Sequence, residues 1–425
     1  MTRQRLLAVI GWGWVAILGG PSRVAHAQAT LTRREAIATA LATNPQIRVA
    51  IEQLAQARAR GVENTAFPDP TISGDVTGEQ SLTKPNTNSG SDIGVGLTVP
   101  FPNKFLLRHR ESAADIRSAE SNVDQLRQQV AAQTAQAYDA LLVAQRHHAD
   151  LEQADSLAKD FLKKTQVRFE AGSAPKLDVI KAQVDLAQAE TTLLANLRDM
   201  ANARAALNRL LARPLGAAIV PADSLAVPGD LPSLESLTSR ARAQRPELRG
   251  LASQRVSAGY AAALAQQYWL PDLGLSVSKN LAQGAPPSYT TAVGFTVPLF
   301  FWNHQRGEVS EARHHERELD ASYVDLEAQV EQEVRDAYST AQTALQQALY
   351  LRDALVPEAR QAYDIARISY GLGGSSALDV LDARRTLLDA EGQYADALGA
   401  ANDARADLER AAGGSLEAPD GSDAR

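Results

Sequence analysis

Two stretches of this 425-residue chain carry the same pattern, RFEAGSAPKLDVIKAQ at 168–183 and SYGLGGSSALDVLDAR at 369–384. Each reads as the end of one helix, a glycine turn and the start of another helix. Phe169 stands opposite Tyr370, Gly172 opposite Gly373 and Asp178 opposite Asp379. Glycine is the residue that adopts the positive φ a tight turn after a helix demands. Working outward, NPQIRVA at 44–50 answers RPELRGL at 245–251, FPDPTIS from Phe67 answers LPDLGLS from Leu270, and GVGLTVPF from Gly94 answers AVGFTVPLF from Ala292. Four matches in one order, about 200 residues apart, make the chain an internal duplication.

Each copy has a helical lead-in, two short strands, a very long helix, the glycine turn and a returning helix. Repeat 1 covers 28–213, with strands over 69–79 and 91–99, the long helix over 103–171 and the return over 175–211. Repeat 2 covers 233–412, with strands over 271–281 and 289–298, the long helix over 303–370 and the return over 377–411. Between them, 214–232 is a linker in which Pro214, Pro221, Pro228 and Pro232 interrupt any helix. Residues 413–425, rich in glycine and acid, read as a disordered tail.

The strands alternate with period two. Ile93, Val95, Leu97 and Val99 share one face, against Asp92, Gly94, Gly96 and Thr98 on the other. Leu273, Leu275 and Val277 alternate with Gly274, Ser276 and Ser278, and Val293, Phe295 and Val297 with Ala292, Gly294 and Thr296. A soluble sheet produces the same alternation. Two features of context favour a membrane: strands of roughly ten residues suit a tilted span of an outer-membrane barrel, and they follow a secretory signal. Four strands cannot close a barrel and open edges are not tolerated in lipid, so spanning strands would require several copies.

The long helices exceed any compact domain. At about 1.5 Å per residue, the first would extend roughly 100 Å, and Pro357 is expected to kink the second near its end. In the returning helices Leu177, Ile180, Val184, Ala187, Thr191 and Leu194 recur at threes and fours, as do Leu378, Leu381, Leu388 and Ala395, the spacing of an antiparallel coiled coil.

At the N-terminus, Arg3 and Arg5, the apolar run Leu6 to Gly20 and Ala25-His26-Ala27 form a signal peptide over 1–27. No cysteine occurs, which excludes disulfides, thiolate metal sites and a lipid anchor on an N-terminal cysteine. The formal charge is −7 and becomes about −10 without the signal's three arginines, which argues against nucleic acid as a partner. No G-x-S-x-G elbow, phosphate loop or H-E-x-x-H pair is present, so the reading is not an enzyme and needs no cofactor. His147-His148 and His314-His315 are adjacent pairs that diverge by about 100° on a helix, so no metal site is expected. Trp269, Trp302 and Tyr289 flank the strands, where either an aromatic girdle or core packing would place them.

With the duplicated order and YGLGGSSALDVLDA at 370–383 in view, the chain resembles the TolC-like outer-membrane efflux proteins over essentially its whole mature length. PLFFWNHQRGEVSEA from Pro298 and PFPNKFLLR from Pro100 are most similar to the branch paired with heavy-metal (CzcC/CusC-like) tripartite pumps. The resemblance implies a fold that is mainly α with a small β part: a protomer of a trimeric outer-membrane β-barrel, four strands per chain, continued by a long α-helical barrel across the periplasm. It implies a homotrimer set in outer-membrane lipid, partnered by a periplasmic adaptor (membrane fusion) protein and an inner-membrane pump of the resistance-nodulation-division type. The chain would be a passive exit duct, with the cargo open between metal ion, drug and polypeptide. A periplasmic adaptor also uses long helical hairpins, but normally one, inserted in a β-rich domain.

Asp379 and Asp382 are three apart, so both carboxylates can face one side of a helix. The resemblance implies that they line the periplasmic constriction as a gate. The local alternative is a cap, because Ser376 to Asp379 is an S-x-x-D pattern. By the same resemblance Asp178, Tyr370, Phe169 and Arg168 are expected to make the contacts that close the tip. Gly172, Gly371, Gly373 and Gly374 serve the turns, whose exposed shape also suits docking of an adaptor hairpin.

Overall fold

A computed structural model describes residues 30–77, 90–281, 286, 288–296 and 301–416. The expected signal peptide, most of both hairpin tips, residues 78–79 of the first expected strand and 297–298 of the fourth, the Trp302 side chain and residues 417–425 lie outside the described residues.

The N-terminal half runs β1 (Thr30–Leu31), α1 (Arg33–Thr43), α2 (Pro45–Thr65), β2 (Thr71–Thr77), β3 (Gly90–Val99), α3 (Pro102–Glu170) and α4 (Lys176–Leu210). After β4 (Val220–Pro221), the C-terminal half runs α5 (Leu234–Gln244), α6 (Pro246–Gln266), β5 (Asp272–Asn280), β6 (Ser288–Thr296), α7 (Phe301–Tyr350), α8 (Val356–Leu372) and α9 (Ala377–Ala411). Lengths match between halves: 11 residues in α1 and α5, 21 in α2 and α6, 35 in α4 and α9. They match because the start and stop signals repeat. Pro45 and Pro246 open α2 and α6 at a position where the missing N–H has no partner to lose. Past α4 and α9, Ala212 (φ 54°) and Gly413 (φ 89°) take the same left-handed turn.

One long helix differs from its expected form. The helix read over 303–370 is two, because a π turn at Leu351–Leu355 separates α7 from α8. Pro357 explains it: proline in a helix clashes with the carbonyl four residues back. Here the Val356 N–H reaches the Leu351 carbonyl five residues back, and the wider turn accommodates the ring. The interruption is thus a π turn ahead of the proline. The N-terminal counterpart, α3, runs 69 residues unbroken.

The four larger strands form one antiparallel sheet in the order β2-β3-β5-β6, so the hairpins of the two halves lie side by side. Register puts Ile72 beside Val95 and Val95 beside Val277, while Leu97, Leu275 and Val293 form a second row. One face is therefore apolar and the other carries Gly, Ser, Thr and Asp. On the polar face a Cβ at Gly96 would lie 2.9 Å from Thr71 Oγ1, so glycine permits that close strand approach. Among the described residues, β2 and β6 are the edges of this sheet.

The helices form a wall. α3 packs on α2, α4, α6 and α9, and α9 also on α7. Between α9 and α3 the approach is close, with Gly399 leaving only 2.6 Å for a Cβ before Val143 Cγ2. The linker is ordered and stitches the halves: Ala222 N–H bonds Leu31 O at 2.9 Å, Asn402 Nδ2 bonds Ala226 O at 3.0 Å, and Arg405 Nη1 bonds Gly229 O at 3.1 Å.

Two expectations need correcting. Residues 413–416, read as part of a disordered tail, are held: Gln128 Nε2 donates to Gly413 O at 2.8 Å and Arg240 Nη2 to Ser415 O at 2.7 Å. Their backbone completes the C-terminal turn of α9, with Gly414 N–H on Glu409 O at 2.8 Å, so its groups have partners that composition does not reveal. The apolar row on α4 does not pack into its own hairpin either. Leu177, Ile180, Val184 and Leu194 are all exposed, and the buried face is instead built on Val179, Ala182, Ala189 and Asn196. A matching exposed row, Ile365, Ile368 and Leu372, runs along α8.

Candidate functional site

The tip where α3 turns into α4 and α8 into α9 brings together most of the residues singled out. Both turns close the same way. Ser173 N–H bonds Arg168 O at 2.8 Å around Gly172 (φ 74°), and Gly374 N–H bonds Ser369 O at 2.8 Å around Gly373 (φ 84°). Gly371 lies in the last turn of α8.

Arg168 and Tyr370 join the two turns. The guanidinium sits 4.3 Å from the centre of the Tyr370 ring, Nη1 donates to the Tyr370 carbonyl, and Nη2 reaches Ser173 O at 3.4 Å. A cation over an aromatic face gains from the ring quadrupole. Tyr370 is buried, 5.4 Å from the Phe161 ring, with its hydroxyl 3.4 Å from Thr165 Oγ1. Phe169 and Asp178 stand apart from this contact. Phe169 is exposed, and the Asp178 carboxylate takes none of the tip's hydrogen bonds or ion pairs among the described residues. Beside the contact, a cavity of about 430 Å³ opens between α3 and α8, with Phe161, Val167 and Tyr363 on its walls and Lys163, Lys164 and Arg367 around them.

The two aspartates have different circumstances. Asp379 is engaged in a capping box: Ser376 N and Oγ donate to Oδ2 at 2.8 and 2.9 Å, and Asp379 N–H returns a bond to Ser376 Oγ at 3.2 Å. Those bonds, led by the Ser376 backbone N–H, hold its carboxyl below the usual carboxylate range. Asp382, one turn on, is exposed and its carboxylate is outside the capping box.

Sequence reasoning missed several charged groups inside the wall. Arg384 (α9) is buried and paired to Asp185 (α4). Its position between buried Val380 and Leu387 was the available signal, since an arginine on an apolar helix face needs a partner. Higher up, Asp139 is buried on α3 and bonded by Arg33 Nε at 3.2 Å, with Asp403 of α9 nearby. Burial pushes Asp139 and Asp403 each up to about 6; Arg33 opposes the shift in both, while Asp403 adds to it in Asp139 and Asp407 in Asp403. The histidines pin α3: His147 Nε2 lies 2.9 Å from Asp396 of α9 and His148 Nδ1 3.1 Å from Asn196 of α4. No three metal-ligating side chains converge among the described residues.

At the other end of the wall, Lys104 Nζ bridges Leu270 O at 2.7 Å and Asp272 Oδ1 at 3.1 Å, tying α3 to β5 where helix gives way to sheet. Trp269 is exposed at that end of the sheet and Tyr289 at the opposite end, beside Lys279. No helix among the described residues is long and apolar enough to cross a membrane.

Comparison with known proteins places this geometry. The sequence profile described as Outer membrane efflux protein matches residues 36–213 and 237–414, once in each half. The cobalt-zinc-cadmium resistance protein CzcC of Cupriavidus metallidurans is 23% identical over 398 residues, covering 91% of each chain. Among solved structures, the transmembrane channel protein CusC superposes with a TM-score of 0.77 at 18% identity, covering 90% of this chain and 92% of the other. The outer membrane protein VceC of Vibrio cholerae gives 0.75 at 19% identity, covering 91% and 97%.

Proposed function

We infer the role of this chain from one premise: it belongs to the outer membrane efflux protein family, whose members are passive channels rather than enzymes. In that family it is the exit duct of a tripartite efflux assembly, a homotrimer in the outer membrane that receives cargo from a periplasmic adaptor and an inner-membrane pump. The observation that carries the assembly is the position of the unsatisfied edges. β2 ends the sheet on one side and β6 on the other, and α4 and α8 each expose an apolar row. Edges that differ on the two sides join head to tail and close into a ring, and lipid tolerates strands only in such a closed barrel. The apolar sheet face then meets lipid and the polar face the lumen.

Within the duct, Asp382 with Asp379 forms the acidic periplasmic gate. The capping box holds Asp379 in place, so Asp382 is the carboxylate free to meet a cation. The turns at Gly172 and at Gly371, Gly373 and Gly374 face the adaptor. Likeness to the resistance protein CzcC supports divalent metal ions as cargo. Two measurements test this reading. Asp382→Ala is expected to raise single-channel conductance in a planar bilayer and weaken block by divalent cations; no change in either defeats the gate. Deleting the gene is expected to lower tolerance to divalent metals, and unchanged tolerance defeats the cargo assignment.

A further inference from the structure

The cavity of about 430 Å³ beside Arg168 and Tyr370 is bounded by α3 on one side and α8 on the other, both from the same chain. Its volume is that of a small-molecule site. Phe161, Tyr363 and Tyr370, each only 5% exposed, supply its apolar part. The Phe161 and Tyr370 rings lie 5.4 Å apart and tilted by 49°, and their burial fixes them as a firm surface for a further ring.

The polar part is cationic. Lys163, Lys164, Arg168 and Arg367 line the cavity, against the single carboxylate of Asp160 among the described residues. Two of the cations are engaged: Lys164 Nζ bonds Asp160 at 2.5 Å, and Arg168 is held by the Tyr370 carbonyl and ring. Arg367 has a loose pair with Asp364 at 3.5 Å, and Lys163 has no partner among the described residues. Tyr363 adds an unused donor. A buried tyrosine hydroxyl ordinarily has a hydrogen-bond partner, and that of Tyr363 has none among the described residues. Burial pushes its pKa up, so the hydroxyl keeps its proton and can donate.

Packing against a second copy leaves the cavity uncovered. On α8, Tyr363, Arg367 and Tyr370 lie within about 60° of one another. The exposed row of Ile365, Ile368 and Leu372 lies on the opposite side of the helix, and that row is the surface a neighbouring chain would cover.

We propose that this cavity binds a small aromatic carboxylate, with its ring against Phe161 and Tyr370 and its carboxylate between Lys163 and Arg367, accepting from the Tyr363 hydroxyl. A cation is repelled here. A neutral apolar molecule leaves the Tyr363 donor and two cations unanswered, and an inorganic anion leaves the rings uncovered. The site is built within one chain, so it is independent of the duct reading.

The full chain in lipid nanodiscs, titrated with 2-naphthoate and followed by calorimetry, is expected to show saturable binding at one equivalent per chain. The neutral 2-naphthamide is expected to bind about tenfold more weakly or worse, the cost of losing a charge-assisted hydrogen bond. Lys163→Gln with Arg367→Gln should weaken naphthoate to a similar degree and leave naphthamide unchanged, and Tyr363→Phe should weaken naphthoate severalfold. Val167→Trp, which fills the cavity from an exposed position, should abolish binding of both compounds. Absence of saturable binding to the wild type overturns the site, and equal affinity for acid and amide overturns the carboxylate. Naphthoate affinity unchanged in the double variant or in Val167→Trp overturns the placement. Lys163, Val167 and Arg367 are all exposed, so these variants decide the matter even where Tyr363→Phe does not assemble.

Discussion

The two halves have the same parts in the same order and are fastened differently. Where α1 meets α2, Asn44 caps the second helix by accepting from Gln46 N–H at 2.8 Å and donates to Leu210 O at 3.0 Å. At the same position between α5 and α6, Arg245 makes no cap; it bonds Glu247 at 3.1 and 3.2 Å and Glu333 at 2.5 Å. At the tip, α4 starts on Pro175 without a side-chain cap, whereas α9 starts on Ser376 with a full capping box. Farther along, Arg384 is buried where the first half has exposed Gln183. Backbone geometry is thus shared while the side-chain fastenings are not. The C-terminal half, broken at its π turn, carries the capping box and the buried arginine at its tip.

The sharpest way to break this contrast is at the lead-in joints. Arg245→Met leaves Glu247 and Glu333 without their partner; because Glu333 is half exposed and rehydrates, the loss should be about 3 kcal/mol, the low end for a broken buried pair. Asn44→Ala should lose about 1–2 kcal/mol, the range for a cap. Equal losses in thermal or denaturant unfolding, measured in detergent, would mean that the two joints are fastened alike after all.

Next in size is the seam between the halves. Asp139 and Asp403, raised by burial from 3.8 to about 6, bind protons more tightly folded than unfolded. Their contribution is fully present below about pH 4 and is lost as pH rises through about 6. The pair's own share of the stability should therefore grow, on the order of 2 kcal/mol for these coupled groups, between pH 7.5 and pH 4. Asp403→Asn should flatten that dependence and be the more stable protein at pH 7.5. A variant whose melting temperature follows wild type across the range contradicts this.

The smallest effects sharpen the comparison at the tips. Ser376→Ala removes the cap of α9 and should cost about 1 kcal/mol. Pro175→Ser should build the missing box on α4, with Asp178 three residues on as its partner. The gain should stay below about 1 kcal/mol, because losing proline also frees the unfolded chain. Amide exchange in the first turns of α4 and α9 resolves both, and a loss of protection in α4 on Pro175→Ser would count against the shared geometry.

Much of the fold was legible because the signals are local and repeated. Glycine turns, helix-opening prolines and period-two strands act within a few residues, and Gly172 and Gly373 take the left-handed φ that their turns require. The Ser376 to Asp379 cap was legible for the same reason. The 303–370 helix was misread at Leu351–Leu355 because proline's clash can be relieved by a kink or by a wider turn, and spacing does not choose between them. The row from Leu177 to Leu194 was legible as apolar but not as exposed, since periodicity marks a face and not what covers it.

By itself, the sequence determined the duplication, the order of the elements and the family. Each of these depends on residues near one another in the chain or on the recurrence of a motif. Only the tertiary structure decided which charged groups meet. Asp185 and Arg384, Arg168 and Tyr370, and Asp139 and Asp403 belong to different halves, far apart along the chain. Their pairing depends on how α3 and α4 lie against α8 and α9, and that arrangement is set by the packing of buried side chains rather than by any local pattern.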